Sequence, residues 1–238
     1  MKIEEIGING FVLAQEESYL KLGTDAVLIS DFARIPKGAR VCDLGCGNGA
    51  ICVLLAARRE DVSLCGVEIV PGAADLAREN ARLNNIEERM SVVCADLCDI
   101  EKHFEKGSFG AVVSNPPYMP AGSGIPAAGK ELQGAKMEIH CTIFDVCRAA
   151  GYLLQDGGRF SVVYRPERLS DLFAALTQAG FAPKRMRMVQ NKADAAPSLV
   201  LVEARKGGRA GIECLPVLCI RDADGNETDE VRRIYQRK

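Results

Sequence analysis

The segment Asn115-Pro116-Pro117-Tyr118 has the clearest chemical potential in this 238-residue chain. It follows the apolar residues 110–114, which predicts that it lies at the end of a strand. The side-chain oxygen of Asn115 and the carbonyl of Pro116 can accept hydrogens from a planar amino group. Paired prolines fix the backbone that carries these acceptors, and Tyr118 can stack on a flat target. We therefore predict these four residues as catalytic.

A planar amino nitrogen explains this choice of residues. Its lone pair is delocalised into the π system, so the nitrogen is a poor nucleophile. Two preorganised acceptors aimed at its hydrogens can localise that lone pair and direct it toward an electrophile. No general base is needed if the product loses its proton to solvent, so the task is mostly one of position and orientation. The segment indicates group transfer to an amide or exocyclic amine.

A second motif, Asp-Leu-Gly-Cys-Gly-Asn-Gly at residues 43–49, lies between a predicted strand and a predicted helix. Its glycines permit a tight turn and close approach of a ligand to the backbone. The order differs from the dinucleotide pattern Gly-x-Gly-x-x-Gly. The next strand ends at Glu68, where a carboxylate can accept both hydroxyls of a ribose. The motif predicts a nucleoside cofactor and makes a nicotinamide or flavin dinucleotide the weaker alternative.

From residue 40 onward, strand and helix patterns alternate, which predicts an α/β fold with a mostly parallel, seven-stranded, Rossmann-like sheet and helices on both faces. We expect one domain over 1–238, divided into an N-terminal hairpin and cofactor-capping helix (1–35), a catalytic core (36–206) and an appendage (207–238). The hairpin should turn at Asn9-Gly10. The predicted strands are 40–44, 62–69, 90–95, 110–114, 159–164, 183–190 and 198–204, and the helices are 26–32 (capped by Thr24-Asp25), 49–58, 71–84, 137–154 and 166–180.

Composition and charge limit the cellular location of the chain and the kinds of ligand that it can bind. The chain lacks an 18-residue apolar stretch and a signal-peptide core, so we expect no membrane span and a cytoplasmic location. Ten cysteines without a CxxC pair favour reduced thiols and no metal.

The net charge of −2 means that binding to a nucleic acid would need a local basic surface. The best candidate is the strip of Lys184, Arg185 and Arg187, with a solvated strand edge as the alternative.

The glycine loop and its following acids resemble those of class I S-adenosylmethionine methyltransferases. The resemblance implies that Asp43 supports the loop and the methionine amine, that Glu68 holds the ribose, and that Asp96 reads the adenine amino group. It implies S-adenosyl-L-methionine as cofactor. The implied cofactor-binding residues are Lys21, Gly23, Thr24, Asp43, Gly45, Cys46, Gly47, Asn48, Gly49, Glu68, Ile69, Asp96, Leu97 and Asn115.

Four flanking segments resemble the bacterial family that methylates N6 of adenosine 37 in a valine tRNA. They begin at Lys21-Leu22-Gly23-Thr24-Asp25, Glu138-Ile139-His140, Gly157-Gly158-Arg159-Phe160 and Leu215-Pro216-Val217-Leu218. The resemblance implies tRNA as substrate and partner, and we expect a monomer. The chain departs from the family at 135–138 and at Met119, in a Gly/Ala-rich loop over 119–136 where the nucleic acid would bind.

Two alternatives remain open at this point. An amino methyltransferase acting on a ribosomal RNA base or on protein glutamine would use the same tetrapeptide. Glutamine methyltransferases usually carry a helical domain before the cofactor loop, whereas here the loop begins at residue 43. A non-catalytic binding module would be expected to have lost the glycine loop or the tetrapeptide, and both are intact.

Overall fold

The computed structural model describes residues 2–16, 22–116 and 141–236. Strands and helices alternate as expected from residue 40, and two 3-10 helices follow Asp96 and Arg165. The strands are β1 Lys2–Glu5, β2 Val12–Gln15, β3 Arg40–Leu44, β4 Ser63–Glu68, β5 Met90–Cys94, β6 Phe109–Ser114, β7 Leu154–Tyr164, β8 Phe181–Gln190, β9 Leu199–Lys206, β10 Glu213–Cys214 and β11 Leu218–Cys219. The helices are α1 Thr24–Phe32, α2 Ala50–Arg58, α3 Pro71–Leu83, α4 Ile143–Leu153, α5 Leu169–Gln178 and α6 Asp229–Ile234, and the 3-10 helices are Leu97–Lys102 and Pro166–Arg168.

The central sheet has the strand order β10-β8-β9-β7-β6-β3-β4-β5, and β11 also pairs with β8. Strands β3 to β7 are parallel to their neighbours in this group, whereas β9 runs antiparallel to both β7 and β8. The predicted α/β class and mostly parallel sheet are confirmed. The seven predicted strands are present, and the two-residue strands β10 and β11 extend the sheet to nine.

Several element boundaries differ from the prediction for local reasons. The Thr142 side chain caps α4 through a capping box with Asp145, so the helix begins at Ile143 instead of 137. Strand β7 begins at Leu154, which pairs with Phe109, but the pairing with β6 then shifts and resumes only where Arg159 pairs with Ala111. The regular ladder therefore starts at Arg159, the predicted first residue of this strand. Helix α1 has Gly23 as its N-cap and no side-chain cap, so the predicted capping by Thr24-Asp25 was wrong.

Helices cover both faces of the sheet. Apolar side chains of α1, α2 and α3 form one buried cluster with one sheet face, and those of α4 and α5 form another with the opposite face. Successive side chains of β3 point to opposite faces of the sheet, so Val41 belongs to the first cluster and Cys42 to the second. Five of the ten cysteines are buried (Cys42, Cys46, Cys52, Cys65 and Cys147) and serve as small apolar side chains.

Two asparagines attach the N-terminal hairpin to the core, Asn80 in α3 and Asn84 directly after it. Asn84 exchanges a pair of hydrogen bonds with the backbone of Val12, at 2.8 Å each. One helical turn earlier, Asn80 accepts from the Ala14 N–H at 2.6 Å and donates to the Ala14 carbonyl at 3.0 Å. Asn80 also donates to the carbonyl of Asn48 at 2.9 Å. The two side chains thus satisfy one edge of β2 and link the hairpin to the glycine loop.

The C-terminal residues pack back on the sheet edge and on α2. The Arg187 guanidinium of β8 donates two hydrogen bonds of 2.8 Å to Glu230 in α6. Arg58 of α2 donates to the carbonyl of Ile234 at 2.7 Å. In the described part of the chain, no helix has the length and apolar character needed to span a bilayer.

Candidate functional site

The strand order reverses between β3 and β6, and the candidate site lies at that reversal. The chain adds β4 and β5 on one side of β3 and then returns to place β6 on the other. The strand ends are level, because Leu44 pairs with Ser114 on one side and with Val67 on the other. Ligands of open α/β sheets bind outside the carboxyl ends of strands at such a switch point. The topology therefore brings the glycine loop, Glu68 and Asn115 to one cleft.

The glycine loop turns sharply over the end of β4. The amides of Gly45 and Cys46 both donate to the Val67 carbonyl, at 2.9 and 3.0 Å. Gly49 has φ +79° just before α2, and a Cβ there would lie 2.8 Å from the Met90 side chain. A larger residue at this position would be strained and would also collide with its neighbours. The loop thus lies close to the sheet and leaves space beyond the strand ends.

Glu68 holds this loop from the adjacent strand. Its carboxylate is 2% exposed and accepts from the amide of Gly47 at 2.8 Å and from that of Val70 at 2.9 Å. A carboxylate has about four lone-pair sites, so two amide donors leave capacity for ribose hydroxyls. The contact with Gly47 was not part of the sequence prediction. It gives Glu68 a second task, which is to fix the shape of the loop.

Asp43 is the most perturbed acid of the cleft. Its side chain is 1% exposed, and burial, with a smaller contribution from the charge of Glu68, raises its pKa to about 8. Within the described structure, Asp43 Oδ1 and Asn48 Nδ2 are buried atoms that lack a hydrogen-bond partner. Unsatisfied buried polar groups are costly, which points to a polar or charged ligand at this place. An ammonium group would supply a donor to Asp43 Oδ1 and a carboxylate would supply an acceptor to Asn48 Nδ2, so the amino-acid end of a cofactor fits these two residues.

The third acid, Asp96, follows β5 and begins a 3-10 helix. Its Oδ1 accepts from the Cys98 amide at 2.8 Å, which fixes the carboxylate at the cleft end of the strand. Leu97 is half-buried, and Ile69, which follows Glu68, is 40% exposed. This places two apolar side chains near the predicted adenine and ribose contacts. Their roles toward the cofactor stay predictions.

On the β6 side of the cleft, Asn115 is half-buried and Pro116 is buried. The Asn115 side-chain Nδ2 donates to the Asp25 carboxylate at 2.9 Å. Gly23 and Thr24 lie at the start of α1, so the predicted capping segment does reach the cleft. The other predicted site residues, Lys21, Pro117 and Tyr118, lie outside the described residues, as does the loop over 119–136.

The residues of the predicted basic strip are not all solvent-exposed, and two of them form ion pairs within the protein. Arg185 is 8% exposed, its guanidinium pairs with buried Glu203 at 3.3 Å and lies 4.5 Å from the centre of the Phe32 ring. Arg187 is paired with Glu230, as described above. The Lys184 Nζ donates to the Arg209 carbonyl at 3.2 Å. The strip therefore supports the packing of α1 and the C-terminal segment.

Among the described residues, one group of side chains with metal-ligating atoms lies beside Asp96. Ligand atoms of Cys98, Cys141 and Asp145 lie within 4.8 Å of one another. The Asp145 carboxylate already accepts from the Thr142 amide and hydroxyl and contacts Arg148 at 3.4 Å. Because this carboxylate completes the N-terminal cap of α4, we assign no metal to the group.

The raised pKa of Asp43 leads to a testable pH dependence. An unfolded aspartate titrates near 3.8, whereas the buried carboxyl keeps its proton until about pH 8. Between these values the folded state binds more protons, so the ligand-free protein should lose stability as pH rises, by up to about 1.4 kcal/mol per pH unit. Asp43→Asn cannot ionise and should gain stability relative to wild type between pH 5 and pH 8. Urea unfolding at both pH values measures this difference.

The matched control is Asp156→Asn, which removes a fully exposed carboxylate from β7. It should leave the pH dependence of the wild type in place. A stability difference between wild type and Asp43→Asn that is the same at pH 5 and pH 8 would show that Asp43 is ionised throughout this range.

Comparison with known proteins agrees with the site. Residues 18–177 match the family model described as Methyltransferase small domain. A protein of Tolumonas auensis named tRNA1(Val) (adenine(37)-N6)-methyltransferase is 28% identical over 92% of this chain and 90% of its own length. A protein of the same name from Cronobacter sakazakii is 30% identical over 81% of this chain and 78% of its own length.

A solved structure supports the fold independently. A protein of Agrobacterium tumefaciens, described as a predicted O-methyltransferase, matches with a TM-score of 0.74 and 23% identity, over 90% of this chain and 96% of that one. The predicted family resemblance, class I fold and cofactor are thereby confirmed. The chain belongs to the methyltransferase small domain family and is an S-adenosylmethionine-dependent methyltransferase.

Proposed function

We propose that this enzyme methylates the exocyclic N6 amine of adenine 37 in a valine tRNA. The observation that carries the proposal is the position of Asn115 and Pro116. They follow β6 directly beside the glycine loop, because Ser114 pairs with Leu44. An amine held by these residues would lie next to the cofactor cleft. The similarity to relatives named for this reaction supports the choice of tRNA.

In the proposed reaction, the bound cofactor supplies an electrophilic methyl group. Glu68 would hold its ribose, Asp43 and Asn48 its amino-acid end, and Asp96 its adenine. The Asn115 Oδ1 and the Pro116 carbonyl would accept the two hydrogens of the target amine and orient its lone pair. Tyr118 would stack on the base. The amine loses one proton to solvent after transfer, so these side chains need only position it.

The cellular location, oligomeric state and domain organisation are part of the same proposal. We propose a cytoplasmic, monomeric enzyme whose single domain comprises the capping segment 1–35, the core 36–206 and the appendage 207–238. The ion pair of Arg187 and Glu230 supports this division, because it fastens the appendage to the outer strand of the core. The appendage would then serve the stability of the sheet edge.

The function is tested by incubating the purified protein with labelled S-adenosylmethionine and two transcripts. One is the unmodified valine tRNA, and the other is the same tRNA with guanine in place of adenine 37. We expect labelled N6-methyladenosine from the first transcript alone, detected by mass spectrometry of nucleosides. Asn115→Ala should reduce the rate by at least about 100-fold, since an acceptor that acts in the transition state is removed.

Calorimetry on the same Asn115→Ala protein provides the control, and its affinity for S-adenosylmethionine should stay within about two-fold of wild type. Label on both transcripts would refute position 37. No label on either transcript, with normal cofactor binding, would refute the tRNA substrate and leave a ribosomal RNA base or protein glutamine as target.

The contacts to RNA are a separate part of the proposal. Lys192 is exposed in the turn after β8. Because β8 and β6 run in the same direction, Lys192 and Asn115 both lie beyond the carboxyl ends of their strands, on the same side of the sheet. Lys184 is half-buried near the opposite end of β8. We propose that Lys192 contacts phosphate and that Lys184 contributes less. Of the predicted strip, Arg185 and Arg187 are engaged in internal ion pairs.

Charge reversal compares the two lysines. Lys192→Glu should raise the KM for tRNA by about ten-fold and reduce its salt dependence, because one phosphate contact is lost. Lys184→Glu is the matched variant on the same strand and should change this KM by less than about three-fold. The KM for S-adenosylmethionine should not change in either. A larger effect at Lys184 than at Lys192 would place the RNA over the strip instead.

A further inference from the structure

The side-chain amide of Asn115 has two ends with opposite chemistry. Its Oδ1 can accept a hydrogen from an amine, whereas its Nδ2 can only donate. A rotation of the amide by 180° would place a donor against the target amine and abolish the proposed interaction. The proposed reaction therefore needs something that holds the amide in one of its two orientations.

The carboxylate of Asp25 occupies the position required for this. Asn115 Nδ2 lies 2.9 Å from Asp25 Oδ2, across 90 residues of sequence. An ionised carboxylate accepts hydrogen bonds and donates none. The reversed amide would place two oxygens at hydrogen-bond distance from each other without a hydrogen between them. This contact thus favours the orientation in which Oδ1 points away from Asp25.

Asp25 is itself fixed by the start of α1. Its Oδ1 accepts from the Ala26 amide at 3.1 Å, and the positive end of the helix dipole favours a negative charge in the first turn. The carboxylate folds back over Gly23, where a Cβ would collide with Asp25 Oδ1. Glycine at position 23 therefore leaves the space that the carboxylate occupies.

The helix that carries Asp25 is firmly held. Five consecutive residues of α1, from Ala26 to Ser30, are buried, and the helix packs against α2 and β7. A contact made from such an element has little freedom to move. The segment before the cofactor loop thereby reaches across the cleft to the residue that follows β6.

From this geometry we propose that Asp25 is a positioning residue, which orients Asn115 so that its Oδ1 faces the target amine. The inference rests on the proposed methyl transfer to an amine held at Asn115. It assigns Asp25 no contact with the cofactor or the substrate. Its effect should therefore fall on kcat and leave both binding constants close to those of wild type.

The first test compares Asp25→Asn with Asp31→Asn on the same helix. Asn at position 25 has the same shape but can pair with either orientation of the Asn115 amide. Equal population of the two orientations lowers kcat about two-fold, and loss of the stronger hydrogen bond to a charged acceptor should lower it further, to a total of about two- to ten-fold. Asp25→Ala should lower it by about 100-fold. Asp31 is partly exposed and contacts Arg58, and its variant should be as active as wild type. The KM for tRNA and the calorimetric affinity for S-adenosylmethionine should change less than about two-fold.

A second readout needs no substrate. In the ¹⁵N-labelled protein, the Asn115 side-chain amide is identified as the resonance pair that is lost in Asn115→Ala. Its hydrogens should exchange with solvent more slowly in wild type and Asp31→Asn than in Asp25→Asn or Asp25→Ala. Exchange that is equal in all four proteins would overturn the proposal, as would an unchanged kcat in both Asp25 variants or a loss confined to cofactor binding.

The two readouts also separate this inference from the proposed function. If wild-type protein leaves tRNA unlabelled, the substrate proposal fails while amide exchange still tests the role of Asp25. If tRNA is methylated but the Asp25 variants match wild type in rate and exchange, the positioning role fails alone.

Discussion

The hydrogen bond from the Gly47 amide to the buried carboxylate of Glu68 is the constraint on which the cleft depends. It joins the glycine loop after β3 to the end of β4, and the same carboxylate also receives the Val70 amide before α3. One acid therefore sets the loop, the strand end and the start of the next helix. Because it is 2% exposed, loss of this acceptor would leave two amide donors unpaired at the site.

Burial of acidic side chains at this site is electrostatically unfavourable. Two acids, Asp43 and Glu68, are almost completely buried at adjacent strand ends, and burial together with Glu68 raises the pKa of Asp43 to about 8. Burial of like charges is unfavourable unless a cation compensates for them. In the ligand-free protein a proton on Asp43 avoids this repulsion below about pH 8. S-adenosylmethionine carries a positive sulfonium and a positive ammonium group, so its binding can take the place of that proton and favour the ionised form of Asp43.

The fold was largely predictable because local signals agree with the topology. Apolar runs with Asp43, Glu68 or Asn115 at or next to their carboxyl ends mark three strand ends. Asn9-Gly10 marks the hairpin, where both residues have positive φ. The boundaries that were wrong depend on particular caps, such as Thr142 for α4. The 3-10 helix Leu97–Lys102 was not predicted, because it follows from the single cap at Asp96.

Contacts between distant polar residues were not predictable. Periodicity reports which side of an element is buried, but it does not identify partners 66 or 90 residues away, as in Asn80 with Ala14 or Asp25 with Asn115. The charges of Arg185 and Arg187 suggested a surface strip, whereas the fold brings Glu203 and Glu230 to them. A sequence shows that a cation is present and leaves open whether an anion lies opposite.

The most direct test of the account is calorimetric titration of S-adenosylmethionine into wild type and Glu68→Gln. Glutamine keeps the size of the side chain but offers one acceptor atom for two amide donors, and it lacks the charge. We predict that the affinity falls at least about ten-fold while the unligated variant still unfolds cooperatively. Equal affinity in the two proteins would contradict the claim that this carboxylate organises the cofactor site.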